Sequence, residues 1–259
     1  MLSITTGQLE ALLTQYYWPF IRIAACFMIA PGFSAQFIPP RSRILLSGAV
    51  TLIVAPLVPA PAIVPFSIAG VIVTLQQVVI GLALGFVLQL IFDTLAMGGQ
   101  LLSNTMGLGF AFNVDPLRGV STPVLGQLYM ILVTLTYLAL NGHLLLIQML
   151  VDGFVTFPVG TTGLSSNQVW DVVAWGSHLF EGSLMVALPG MTALLVVNLA
   201  FGVMSRAAPS LNLFAVGFPV TLVFGLVIAY FGLPAVQHTF VAQLDAAFEL
   251  IRSLLGIAR

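Results

Sequence analysis

Residues 68–97 read IAGVIVTLQQVVIGLALGFVLQLIFDTLAM, a stretch of 30 residues whose single charged side chain is Asp93. A helix needs about 20 apolar residues to cross the hydrocarbon core of a bilayer, and this stretch exceeds that length. Its apolar residues follow one another instead of alternating, which indicates a membrane helix and not a strand of a β-barrel. The stretch therefore predicts an integral membrane protein built from α-helices.

The rest of the chain has the same character. Only 6% of its 259 residues are charged, against about 25% in soluble domains, and the mean hydropathy is +1.12. Apolar blocks lie at 12–30, 44–60, 68–97, 124–151, 179–204 and 211–236. We expect an all-α protein with about six long apolar helices. After the last block, helical spacing of apolar residues predicts a C-terminal amphipathic helix, with Phe240, Leu244, Phe248, Ile251 and Leu255 on one face.

Charge and motif content exclude several classes of function. The net charge is −1 and the chain contains no lysine, so there is no basic surface for nucleic acid and no phosphate-binding loop with its lysine. The three histidines, His143, His178 and His238, lie far apart and outside any metal-binding motif. We therefore expect no metal, no cofactor and no catalytic residue.

The arginines between the apolar blocks predict the orientation in the membrane. They fall only in the odd-numbered connections: Arg41 and Arg43 after the first block, Arg118 after the third, and Arg206 after the fifth. The positive-inside rule places these connections in the cytoplasm and the N-terminus outside it. Arg22 lies within the first block, where its side chain either snorkels to the interface or has a buried partner.

Three blocks carry small and polar residues at regular helical steps. Such stripes either pack against other helices or line an aqueous path, and the sequence leaves both readings open. The third block has Gln77, Gly81, Gly85, Gln89 and Asp93 at four-residue steps; the fourth has Gln127, Thr134, Asn141 and Gln148 at seven-residue steps, predicting one seam; the sixth has Gly217, Thr221 and Gly225.

The connection at 98–123, GGQLLSNTMGLGFAFNVDPLRGVSTP, differs from an ordinary loop. It is too apolar for a solvated loop, and we expect Gly98, Gly99, Gly107 and Gly109 to prevent a stable helix. Irregular backbone at membrane depth is tolerated where protein buries it or where it lines a cavity. The connection is therefore either a gate or a re-entrant packing loop.

Four motifs in order along the chain resemble the FliR family of flagellar biosynthetic proteins. They are MGLGFAFNVDP at 106–116, PVLGQ at 123–127, LNGHLLLI at 140–147 and RAAPSLNLFAVGFP at 206–219. The resemblance extends over essentially the whole chain. It departs at Ser210 and Leu211, where glutamine and methionine would be expected.

The resemblance implies a non-enzymatic subunit of the type III protein export gate, in the bacterial inner membrane at the flagellar basal body. Such a subunit assembles with FliP and FliQ, near FlhB and FlhA, around a pore for unfolded flagellar proteins. It implies a FliP-like part at 1–175, including a plug loop at 98–123, and a FliQ-like hairpin at 176–259.

Residue roles also follow from the resemblance. We call residues 106–118 the gate segment; it is expected to seal the pore through Met106, Gly107, Leu108, Gly109, Phe110, Phe112, Asn113, Asp115 and Arg118. The stripes of the third and fourth blocks, together with Pro209, Asn212, Gly217 and Pro219, are expected to serve packing and assembly.

Three alternatives remain at this point. An injectisome export gate shares the fold. A secondary transporter for a small solute would use Asp93, Asn141 and Asn198 as ligands near the bilayer midplane. An intramembrane hydrolase would rely on Ser177 and His178, a weak signal because adjacent helical residues point in different directions.

Overall fold

A computed structural model describes residues 6–33, 38–59, 63, 65, 67–108, 124–207 and 213–257. Within these ranges every regular element is a helix, which confirms the all-α prediction. The helices are α1 (Thr6–Ile29), α2 (Pro40–Val54) with a 3-10 turn at Ala55–Leu57, α3 (Ile68–Thr105), α4 (Val124–Ala139), α5 (Gly142–Thr156), α6 (Ser166–Ala174), α7 (Ser177–Ala207) and α8 (Leu213–Leu255).

Fewer helices can span a membrane than the six apolar blocks predicted. Over the described residues, three stretches are long and apolar enough: α3, α6 with α7, and α8 from Gly217 onward. The bent pair of α4 and α5 makes a fourth if it counts as one span. The prediction of six was wrong because α2 has only 15 residues and ends before Pro56, while Gln15 and Arg22 lower the hydropathy of α1.

The fourth block is two helices and not one. Asn141 has a left-handed backbone, with φ of 56°, and α4 and α5 meet there at 60°. Asn-Gly is a common turn dipeptide because both residues tolerate this conformation. The predicted single seam through Gln127, Thr134, Asn141 and Gln148 is therefore wrong, since Asn141 lies in the turn that ends it.

Two further boundaries differ from expectation. Residues 98–105 belong to α3, so the first eight residues of the predicted loop at 98–123 are helical. The C-terminal amphipathic helix is not separate, because α8 continues without a break for 43 residues past Pro219 and Pro234.

The contacts divide the chain into two compact units. Unit one contains α1, α2, α3 up to Gln89, α5, α6 and α8 from Asp245. Unit two contains α3 from Leu90, α4 up to Thr136, α7, and α8 up to Leu244. One boundary falls between Trp175 and Gly176, where the sequence predicted the second part to begin; the assignment of FliP-like and FliQ-like parts stays a prediction.

The side chain of Gln168 makes two hydrogen bonds within unit one at the start of α6. It accepts a hydrogen bond from the backbone of Ser165 and so completes a capping box. Its amide also donates to the carbonyl of Leu254 at 2.9 Å. The side chain of Gln168 thus caps the start of α6 and joins this helix to α8.

Candidate functional site

The start of the gate segment lies at the end of α3. Met106, Gly107 and Leu108 are described by the structure. The other predicted gate residues lie outside the described residues: Gly109, Phe110, Phe112, Asn113, Asp115 and Arg118. The described site is therefore the junction from which the gate segment leaves α3.

A Schellman motif ends α3 at this junction. The backbone N–H of Gly107 donates to the carbonyl of Asn104 at 3.1 Å, and that of Leu108 donates to Ser103 at 3.2 Å. Gly107 has φ of 82°, a conformation that costs other L-residues about 1–2 kcal/mol. Gly107 therefore terminates the helix and sets the direction in which the chain departs.

Met106 is fully buried in the core of unit two. It packs with Leu102 of α3, Leu125 of α4, Leu194 of α7 and Ala229 of α8, and Leu108 and Ile228 cover this cluster. We call these residues the Met106 seat. Burying a side chain of this size contributes about 1.5–3 kcal/mol, so the seat fixes the first residue of the gate segment.

Glycines of the neighbouring helices make room for the Met106 seat. A Cβ added at Gly225 of α8 would lie 2.7 Å from the sulfur of Met106. One added at Gly190 of α7 would lie 2.7 Å from a methyl group of Leu102. Sequence reasoning placed Gly225 on a stripe of small residues but missed its contact with Met106.

The helices on either side of the gate segment also touch at their backbones. A Cβ at Gly99 of α3 would lie 2.7 Å from the backbone nitrogen of Gly126 in α4. A Cβ at Gly126 would lie 2.9 Å from the carbonyl oxygen of Ala96. Gly98 and Gly99 were expected to disrupt a helix. Instead both lie inside α3, where they allow neighbouring helices to pack closely against it. The chain is thus held firmly before and after the gate segment.

The glycine stripe of α3 packs on α1 within the same chain. A Cβ at Gly81 would lie 2.8 Å from the Cβ of Ala25, and one at Gly85 would lie 2.7 Å from the carbonyl oxygen of Cys26. The two backbones approach too closely for any side chain between them. The stripe therefore joins two helices of unit one.

Arg22 lies fully buried beside this crossing. Its Nε donates to Oε1 of Gln77 at 2.6 Å, and its terminal nitrogens donate to the carbonyls of Gly153 and Phe157 at 3.1–3.2 Å. The guanidinium also lies 4.3 Å from the ring centre of Phe154. Arg22 thus has buried partners, which decides the alternative that the sequence left open.

The remaining predicted packing residues do not form one site. Thr134 donates its hydroxyl to the carbonyl of Met130 within α4. Gln148 lies at a small cleft with Asp152, Glu249 and Arg252. Of the others, Gln89 and Asp93 are half-buried, Gly217 is buried, Gln127, Asn141 and Pro219 are exposed, and Pro209 and Asn212 lie outside the described residues.

The structure does not bring together the residues expected for a transporter or for a hydrolase in a buried site. For the transporter, Asn198 is exposed on α7 and Asn141 lies in the turn after α4. For the hydrolase, Ser177 is exposed at the first position of α7. Among the described residues, no group of three or more His, Cys, Asp or Glu side chains could hold a metal ion.

The chain is similar to known proteins over nearly its full length. The family described as "Bacterial export proteins, family 1" matches residues 13–247. The flagellar biosynthetic protein FliR of Escherichia coli K12 is 37% identical, covering 98% of this chain and 99% of its own. The FliR proteins of Pectobacterium carotovorum and of Buchnera aphidicola from Acyrthosiphon pisum are 36% and 33% identical over at least 98% of this chain. The chain therefore belongs to the FliR family of bacterial export proteins.

Proposed function

We propose that this chain is a subunit of the flagellar type III protein export gate, and that it helps form and seal the inner-membrane pore for unfolded flagellar proteins. The observation that carries the proposal is the match to FliR proteins along almost the entire chain. The injectisome, transporter and hydrolase alternatives have no comparable support.

The seal is the part of the proposal that rests on geometry. The gate segment leaves α3 at a fixed angle through Gly107, and Met106 before it is locked in its seat. After the segment, Leu125 packs into the same seat. We therefore propose that Met106 anchors the gate segment and that the residues after Leu108 close the pore.

The exposed apolar faces support assembly with partner subunits. In the most apolar 18-residue stretch of the spans that include α7 and α8, only 17% and 22% of the residues are buried within the chain, against 44% in α3. Lipid covers such faces, and so do helices of other subunits. We propose FliP and FliQ as these partners, with FlhB and FlhA nearby, and the flagellar basal body as the location.

Complementation tests the function most directly. The gene for this chain is expressed in an Escherichia coli strain that lacks its own FliR, and swimming in soft agar is measured. We expect motility to return, at least in part, because the alignment covers 98% of this chain and 99% of the Escherichia coli protein. Failure of a well-expressed, membrane-inserted chain to restore any export of flagellar protein would count against the flagellar assignment.

Purification tests the partners separately. A tagged chain is isolated in mild detergent from its native cells and the co-purifying proteins are identified by mass spectrometry. FliP and FliQ should be recovered in fixed ratio. Recovery of this chain as a homo-oligomer without them would favour a transporter instead.

A further inference from the structure

An open apolar groove runs between α1 and α2 in unit one. Its volume is about 750 Å³, which lies in the range of sites that hold small molecules. α1 lines it with Leu13, Tyr16 and Phe20, and α2 with Leu45, Gly48 and Leu52. A Cβ at Gly48 would meet no atom within 4 Å, so the floor of the groove is open. The shape and polarity suit a single hydrocarbon chain.

Arg41 lies one helical turn before the groove on the face of α2 that lines it. Arg41 precedes Leu45 by four residues, and Gly48 and Leu52 follow at three- and four-residue steps, so all four lie on one face of α2. Arg41 is exposed. A guanidinium at this position can therefore reach a polar group about one helical turn beyond Leu45.

The backbone adds to the positive potential at this end. Arg41 is in the first turn of α2, whose N-cap residue Pro39 provides no side-chain hydrogen bond. The N-terminus of a helix carries a partial positive charge that attracts anions. The neighbouring Arg43 binds the backbone instead, since its Nε donates to the carbonyl of Ile38 at 3.2 Å.

We propose that this groove binds an anionic phospholipid, with one acyl chain between α1 and α2 and the phosphate on Arg41. An acyl chain gains little by leaving the bilayer for a groove of equal polarity, so selection must come from the headgroup. Arginine suits this role because its planar fork binds phosphate oxygens in pairs. A basic residue near an anionic lipid surface is stabilised by its attraction to the headgroups.

Native mass spectrometry of the detergent-solubilised assembly tests the proposal. The assembly is incubated with equal amounts of phosphatidylglycerol and phosphatidylcholine, and the lipids that remain bound are counted. We expect phosphatidylglycerol to be retained preferentially. Arg41→Gln should lower its retention about fivefold, the factor that corresponds to the ~1 kcal/mol of one basic residue at an anionic surface.

Two further variants complete the design. Arg43→Gln removes the same charge two residues away and should leave phosphatidylglycerol retention within twofold of the parent. Gly48→Leu fills the groove and should reduce the retention of both lipids. Since Arg41 is exposed, Arg41→Gln keeps its fold and decides the question even if Gly48→Leu does not.

Three results would overturn the proposal. The first is equal retention of the two lipids by the parent, and the second is unchanged retention in Arg41→Gln. The third is a Gly48→Leu assembly that keeps its phosphatidylglycerol but loses a partner subunit, which would assign the groove to a protein helix.

Discussion

Arg22 is a charged residue placed where charge is costly. It is fully buried, and the partners seen for its guanidinium are neutral: the amide oxygen of Gln77 and the carbonyls of Gly153 and Phe157. A buried charge is tolerated only when such hydrogen bonds replace those of water. Because its partners lie on α3, on α5 and just after α5, Arg22 fixes α1 against both helices.

Replacing Arg22 tests this role. Arg22→Met should lower the free energy of unfolding by about 3 kcal/mol, because Oε1 of Gln77 and the carbonyl of Phe157 lose their donor in a dry site. Chemical unfolding in detergent, followed by far-UV circular dichroism, measures the change.

The double variant and a surface control separate the causes. Arg22→Met with Gln77→Leu should recover part of the loss, because it removes one of the unsatisfied oxygens. Arg252→Met removes an arginine whose ion pair with Glu249 lies at the surface and should cost less than about 1 kcal/mol. Equal losses for Arg22→Met and Arg252→Met would refute the buried role.

Gly107 is the second residue whose effect is local. Its φ of 82° predicts that Gly107→Ala destabilises unit two by about 1–2 kcal/mol, whereas Gly107→Asn should cost less because asparagine tolerates this conformation. Gly202→Ala on exposed α7 is the control and should stabilise by up to about 1 kcal/mol. Thermal unfolding of the three variants measures these differences, and an ordering with Gly107→Ala most stable would contradict the Schellman assignment.

At the scale of elements, the crossing of α1 and α3 is determined by Gly81 and Gly85. Nothing larger than hydrogen fits at either position, since carbonyl oxygens and the Cβ of Ala25 already fill the space. Close backbone approach lets many atoms along both helices make contact, and these small attractions add up.

Enlarging Gly85 should force the two helices apart. Gly85→Leu is expected to destabilise unit one by about 3 kcal/mol or more, because the side chain meets the backbone of Cys26 and Ala30. Gly202→Leu makes the same change where no atom lies within 4 Å and should be neutral or stabilising. Melting temperature and yield of the folded protein measure the effect. If the two variants behave alike, the glycine stripe does not hold α1.

The elements show how far the sequence could predict the fold. Hydrophobic periodicity located the helical blocks correctly, because burial of apolar faces dominates their formation. It failed at Gly98 and Gly99, where close contact of α3 with α7 and with α4 outweighs the poor helix propensity of glycine. It failed again at Asn141, because a seven-residue repeat was assumed to continue through an Asn-Gly turn.

The candidate site was only partly predictable, because its contacts join residues that lie far apart in the sequence. Composition singled out the gate segment, since its glycines and apolar residues fit neither an ordinary helix nor a solvated loop, and its role in sealing the pore stays a prediction. The Met106 seat depends on α7 and α8, which are distant in sequence, so no local pattern could reveal that Gly225 leaves space for Met106. Arg22 was noticed as unusual, but its partners on α3 and α5 required the fold.

At the scale of the whole molecule, the chain exposes more apolar surface than its own core can cover. Large side chains stay exposed along much of α7 and in the first part of α8, for example Leu195, Val203 and Phe231. An isolated soluble protein would aggregate with such faces, whereas lipid or neighbouring subunits cover them in a membrane assembly. The apolar blocks thus indicated a helical membrane protein correctly but overestimated the number of bilayer crossings.

The gate segment gives the last prediction, at the scale of the assembled pore. Replacing residues 109–118 with a Gly/Ser linker of equal length should leave the assembly intact but leaky to ions, because flexible polar residues cannot exclude water as apolar side chains do. Met106 to Leu108 stay in place, so the Met106 seat and the end of α3 are preserved. Conductance across planar bilayers measures the leak. As a control, residues 158–162, in the connection between α5 and α6, are replaced by a Gly/Ser linker of equal length. The pore with this second variant should conduct no more than the parent. An assembled and tight pore with the linker at 109–118 would mean that the seal is made by a partner subunit.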